Sequence, residues 1–62
     1  MFIDRLTREE KDFYFHELEK EDRKDIMILY CNRGFLSARD MLRSLARRYG
    51  YLFTVRHYSN AK

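Results

Sequence analysis

Gly34 and Gly50 are the only two glycines in a chain that has no proline, so the backbone is punctuated at two places and the sequence falls into three stretches. Nothing repeats, and no stretch is of low complexity. A chain of 62 residues buries only about 60% of the surface it exposes when unfolded. It is therefore read as one small domain, 1–62, with a frayed tail at 59–62. Help from association, a homodimer included, is expected. Hydrophobic residues at 45% and aromatics at 16% exceed what a disordered segment carries, so the chain should fold.

In the first stretch, Thr7-Arg8-Glu9-Glu10 reads as a capping box, with the threonine hydroxyl accepting from the amide three residues on and Glu10 reaching back. A helix over about 8–20 follows. It carries Tyr14, Phe15 and Leu18 inward, Glu9, Asp12 and Glu19 outward, and Phe13 at the edge of the buried stripe. Near Glu21 and Asp22 a continuous helix would turn charge onto the buried side, which ends it.

The run Ile26-Met27-Ile28-Leu29-Tyr30-Cys31 is apolar on every side, so periodicity does not separate a buried strand from a buried helix. Asp22 and Asp25 before it and Asn32-Arg33-Gly34 after it suit a helix. Its length suits a strand. Residues 51–58, rich in aromatic and β-branched side chains, read as a strand that needs a partner. That favours a strand at about 25–31, joined to 51–58 by a right-handed crossover through the intervening helix. The expected fold class is α+β, in the order helix, strand, helix, strand.

The third stretch is the clearest. Ser37-Ala38-Arg39-Asp40 reads as a second capping box, and an amphipathic helix runs over 37–49 to a stop at Gly50. Ala38, Met41, Leu42, Leu45, Ala46 and Tyr49 share one face, which must be core. Arg39, Arg43 and Arg47, four residues apart, form a ridge on the other face, with Arg48 beside the seam. An acidic first helix lying close by would cover part of that ridge.

Charge is divided along the chain. Residues 1–25 hold nine acids and six bases, whereas 26–62 hold Asp40 as their only acid against seven bases, six of them arginine. Arginine presents a planar fork of donors that matches phosphate or carboxylate in pairs, so the bias points to anion recognition. The plainer alternative is an acidic part that simply neutralises a basic one.

Two segments have local likenesses. Arg47-Arg48-Tyr49-Gly50-Tyr51-Leu52-Phe53 resembles the central ribonucleoprotein motif of RNA-recognition domains, with Arg48 in place of a glycine and Thr54 where an aromatic stands. That resemblance implies bases stacked on Tyr51 and Phe53; the competing and favoured reading of these rings is packing in the core. Cys31-Asn32-Arg33-Gly34-Phe35-Leu36-Ser37-Ala38 resembles the active-site loop of rhodanese-like sulfurtransferases, which implies Cys31 as nucleophile in a cradle of backbone amides. The competing reading of Cys31 is a buried structural cysteine.

Other chemistries are excluded by composition or spacing. His16 and His57 with one cysteine are too few for a zinc site, and no glycine-rich phosphate loop or serine elbow is present. Gly34-Phe35-Leu36-Ser37 would be a helix-turn-helix joint only if 22–33 were helical, and then Asp40 and Arg43 would occupy positions that need apolar packing. A lone cysteine, no apolar run near the length of about 18 residues that spans a membrane, and a start at Met1-Phe2-Ile3-Asp4-Arg5 lead to an expectation of a cytoplasmic protein. The expected function is a small basic binding module, not an enzyme, with no cofactor, metal, membrane or small-molecule substrate. Arg33, Arg39, Arg43, Arg47, Arg48, Arg56 and Tyr51 are its expected contacts to nucleic acid. The competing class is a regulator docking on an acidic protein surface through the same arginines. An enzyme using Cys31 ranks third.

Overall fold

The computed structural model describes residues 1–53. Every regular element among them is helical: a 3-10 turn at Ile3–Arg5, helix α1 at Arg8–Asp12, a π-helical turn at Phe13–Glu17 that continues it, helix α2 at Lys20–Arg33 and helix α3 at Phe35–Tyr49. The expected α+β class is overturned, since no strand is present among the described residues.

The correction centres on 25–31, which lie within α2 and not in a strand. Lys20, Glu21, Arg23, Lys24, Met27, Leu29 and Arg33 make up half of α2, and such straight-chain residues lose little freedom in a helix. Glu21 and Asp22 occupy its first turn and Arg33 its last, matching the helix dipole. The proposed strand partner fails as well. Tyr51, Leu52 and Phe53 are non-regular, and their part of 51–58 lays rings over Phe13, at centroid distances of 5.0 Å for Tyr51 and 6.1 Å for Phe53. Residues 54–58 and the tail at 59–62 lie outside the described residues.

The Thr7 capping box is formed as expected, with Glu10 N donating to Thr7 Oγ1 at 3.2 Å and Thr7 N donating to Glu10 Oε1 at 2.9 Å. The helix it starts ends earlier than about residue 20, and its last part is not α. Leu18 N donates to Phe13 O across five residues, and this wider turn shifts the helical phase. Phe13 and Tyr14 are buried together while Phe15 is 51% exposed, reversing the expected places of Phe13 and Phe15. Leu18 and Glu19 are extended. Their backbone groups find side-chain partners: Arg23 Nη1 donates to Leu18 O at 2.6 Å and Glu19 N donates to Tyr49 Oη at 3.2 Å, so the break leaves few polar groups unpaired.

A single residue joins α2 to α3. Gly34 takes φ +96°, a value open to glycine and strained for side-chain-bearing residues, although a β-carbon there would meet nothing within 4 Å. Helix α3 begins at Phe35, two residues ahead of the expected start, and it carries no side-chain cap. Its end is as expected. Gly50 is left-handed, Gly50 N donates to Arg47 O at 3.1 Å and Tyr51 N to Ala46 O at 2.8 Å, the paired bonds of a Schellman motif.

The core lies between α2, α3 and the first stretch. Ala38, Leu42, Leu45 and Ala46 of α3 are buried, and they share the interior with Ile26, Phe13, Tyr14, Leu6, Leu18 and Phe2. Of the other two residues expected on that face, Met41 packs half-buried against the core and Tyr49 is 38% exposed. No helix among the described residues is long and apolar enough to cross a membrane.

Candidate anion-binding face

Arg39, Arg43 and Arg47 are brought into one row by the α-helical repeat of α3, about 6 Å apart along its axis. Their surroundings differ sharply. Arg47 is exposed, and so is Arg48 on the next side of the helix. Arg33, in the last turn of α2, is exposed too. None of these three has an ion pair among the described residues.

Arg43 is committed to Glu10. Its Nε donates to Glu10 Oε2 at 3.0 Å and its Nη2 lies 2.9 Å from the same oxygen. The carboxylate is buried, and its other oxygen serves the Thr7 cap. A desolvated carboxylate needs all of these donors, because an unpaired buried charge is strongly destabilising. Arg43 also packs on Phe53, with its guanidinium carbon 4.9 Å from the ring centre.

Tyr51 is likewise engaged. Its ring is half-buried against Phe13 and its hydroxyl donates to Glu9 O at 3.4 Å. Burial first, and then the nearby acids Asp12, Glu9 and Glu17, hold its pKa above the usual 10.0. An acidic neighbourhood of this kind opposes an incoming phosphate. Arg43, Ala46, Arg47, Tyr51, Leu52 and Phe53 line an open groove of about 220 Å³, basic along α3 and acidic beyond Tyr51.

Arg39 has a third kind of setting. Its Nε is buried and has no hydrogen-bond partner, and its guanidinium carbon lies 5.7 Å from the centre of the Phe35 ring. Arg5 shares that ring at 4.3 Å. Arg5 was not among the expected contacts, because it lies ahead of the first capping box with no periodic pattern to place it. Arg56 lies outside the described residues. No family model, curated protein or solved structure matches this chain.

Neither local likeness carries over to the fold. Cys31 is exposed within α2, neither buried nor at the mouth of a strand, so the sulfurtransferase-like loop does not form and the expectation of a buried cysteine is also overturned. Tyr51 and Phe53 pack on Phe13 and on each other instead of presenting a strand face. Residues 22–33 are helical after all, yet one glycine is shorter than the three to four residues, roughly, that turn a helix-turn-helix. His16 is exposed and lies 3.9 Å from Asp12. Among the described residues no group of His, Cys, Asp and Glu is placed to hold a metal ion.

Proposed function

We propose that this protein is a small cytoplasmic binding module, not an enzyme, that contacts nucleic-acid phosphates through the arginines of α3 and the end of α2. The observation that carries the reading is the set of guanidiniums without acidic partners. Arg33, Arg47 and Arg48 are exposed, Arg39 is half-buried, and none has an ion pair among the described residues. Such guanidiniums displace cations condensed on a nucleic-acid backbone as they neutralise its phosphates, and they do so without sequence preference. Arg43, held by Glu10, and Tyr51, held against Phe13, line the groove beside Arg47.

Binding to a mixed oligonucleotide pool should weaken steeply with salt, with a slope of log affinity on log salt of about −0.7 to −0.9 per phosphate contacted. Replacing Arg47 and Arg48 together by alanine should flatten that slope by about 1.4 to 1.8. No binding at low salt overturns the reading.

One observation favours an acidic protein surface as the second reading. Leu36 and Leu52 are 64% and 85% exposed. Leu36 falls on the arginine side of α3, seven residues before Arg43, and Leu52 lines the groove with Arg47. A basic surface studded with leucine suits a protein partner. Under this reading oligonucleotides fail to bind, and replacing Leu36 by serine abolishes retention on a partner that survives moderate salt.

A further inference from the structure

Two guanidiniums meet over one ring at the joint between α2 and α3. Phe35 opens α3 and is half-buried. Arg39, one turn later, leans back over it, as helical side chains do. Arg5 arrives from the other end of the chain, carried by the 3-10 turn that Phe2 anchors. The Phe2 ring is fully buried, with centroids 5.9 Å from Tyr14, 5.4 Å from Tyr30 and 5.6 Å from Phe35. Distances of 4.3 and 5.7 Å to the Phe35 centre bound the separation of the two guanidinium carbons at 10 Å.

Like charges held this close repel each other, and the ring offsets only part of that. An aromatic face attracts the charge of a guanidinium but accepts from few of its N–H donors. Neither Arg5 nor Arg39 has an ion pair or a side-chain hydrogen bond among the described residues, and Arg39 Nε is buried without a partner. Asp4, the acid next to Arg5, lies 3.5 Å from the terminal amine instead. Two guanidiniums thus lie at one ring without an acidic partner among the described residues.

We propose that Arg5 and Arg39 form a clamp for a single phosphate group beside Phe35. A carboxylate has two oxygens, which one arginine fork fills; a tetrahedral phosphate has further oxygens for a second fork approaching from another side. The clamp rests on the nucleic-acid reading only for the source of its phosphate. It adds Arg5, from the opposite end of the chain, to the basic face.

The test uses the full chain with its arginine side-chain N–H groups observed by NMR. Inorganic phosphate is titrated against chloride at equal ionic strength. Arg5 and Arg39 should shift saturably while Arg43, held by Glu10, stays still. Arg5→Lys and Arg39→Lys each keep the charge and lose the fork, so each should weaken phosphate binding about tenfold with helicity unchanged by circular dichroism. Shifts shared by every arginine, no saturation, or wild-type affinity in Arg5→Lys overturns the clamp. A 5′-phosphorylated and an unphosphorylated oligonucleotide then separate the sources: a preference for the first assigns a terminal phosphate, and equal binding with Arg5 and Arg39 shifted assigns a backbone diester. If oligonucleotides shift Arg33, Arg47 and Arg48 but leave Arg5 still, the clamp falls alone. If phosphate saturates Arg5 and Arg39 while oligonucleotides do not bind, the clamp stands and the nucleic-acid reading falls.

Discussion

Arg39 and Arg43 lie one helical turn apart in the same row of α3, yet one is open and the other closed. Around Arg43 a buried carboxylate takes donors from two directions, from the guanidinium at 2.9 and 3.0 Å and from the Thr7 amide at 2.9 Å. Around Arg39 there is a phenyl ring, a second guanidinium and a buried Nε with no partner. Helical periodicity assigns both residues to one side of α3. It does not say which charge is already neutralised, because the neutralising group arrives from 33 residues away. A row of arginines is therefore a binding surface only to the extent that the rest of the fold leaves it unpaired.

The largest expected effect tests whether the open region is built at all. Phe2 is fully buried and holds the turn that delivers Arg5. Phe2→Ala should cost about 3–4 kcal/mol, most of the stability of a domain this small, which at about 0.05–0.15 kcal/mol per residue has little in reserve. Urea unfolding followed by circular dichroism reads it as a near-complete loss of the folded baseline. A loss below about 1 kcal/mol would mean that the N-terminal turn is not docked and that Arg39 stands alone.

The closed region is tested next. Glu10→Gln keeps an oxygen for the Thr7 amide but removes the charge facing Arg43. Breaking a fully buried pair costs about 3–5 kcal/mol. Here the Arg43 side chain is 41% exposed and keeps water when its partner is lost, so the expected cost falls to about 1–2 kcal/mol, read from the urea midpoint. Freed from Glu10, Arg43 should join the open set and steepen the salt dependence of oligonucleotide binding by about 0.7 to 0.9. An unchanged slope with lowered stability would show that position along α3, and not pairing, separates Arg43 from Arg39.

How much of this was legible in the sequence depends on whether the deciding contact was local. Helix α3 was legible because Ala38, Leu42, Leu45 and Ala46 repeat at helical spacing and Gly50 closes the end; its start was misplaced, since Gly34 ends α2 and opens α3 at once without a Ser37 capping box, and Tyr49, expected in the core, is 38% exposed. The capping role of Glu10 was legible three residues from Thr7, while its bond to Arg43 was not. Helix α2 was misread because Ile26 to Cys31 is apolar all round and the choice was passed to a strand partner at 51–58. The aromatic residues Tyr51 and Phe53 that suggested that partner are used instead as a lid over Phe13. The π-helical turn had no sequence signal, and with aromatic rings at Phe13, Tyr14 and Phe15 in succession the composition did not say which pair is buried.

The smallest expected effect concerns a polar contact that, unlike the Glu10–Arg43 pair, stays in water. Tyr49 Oη donates to Asp22 Oδ2 at 2.8 Å and accepts from Glu19 N at 3.2 Å, tying the end of α3 to the start of α2. The bond to Asp22 holds the Tyr49 pKa above 10.0, although the Glu19 amide pulls it down. A pKa raised in the folded state means that the unfolded chain loses this proton first, so the contribution is complete below about pH 10 and is lost as pH rises through the folded value. Tyr14, raised mainly by burial, and Tyr51 act with the same sign. Wild-type stability should therefore decline above pH 10, and Tyr49→Phe should decline less steeply while remaining close to wild type at neutral pH. The curves come from urea midpoints measured across alkaline pH. Parallel curves would mean that the Tyr49 contact is not maintained in solution. A contact open to water would then contribute nothing to holding α3 in place, leaving the packed face and the buried Glu10–Arg43 pair to set its orientation.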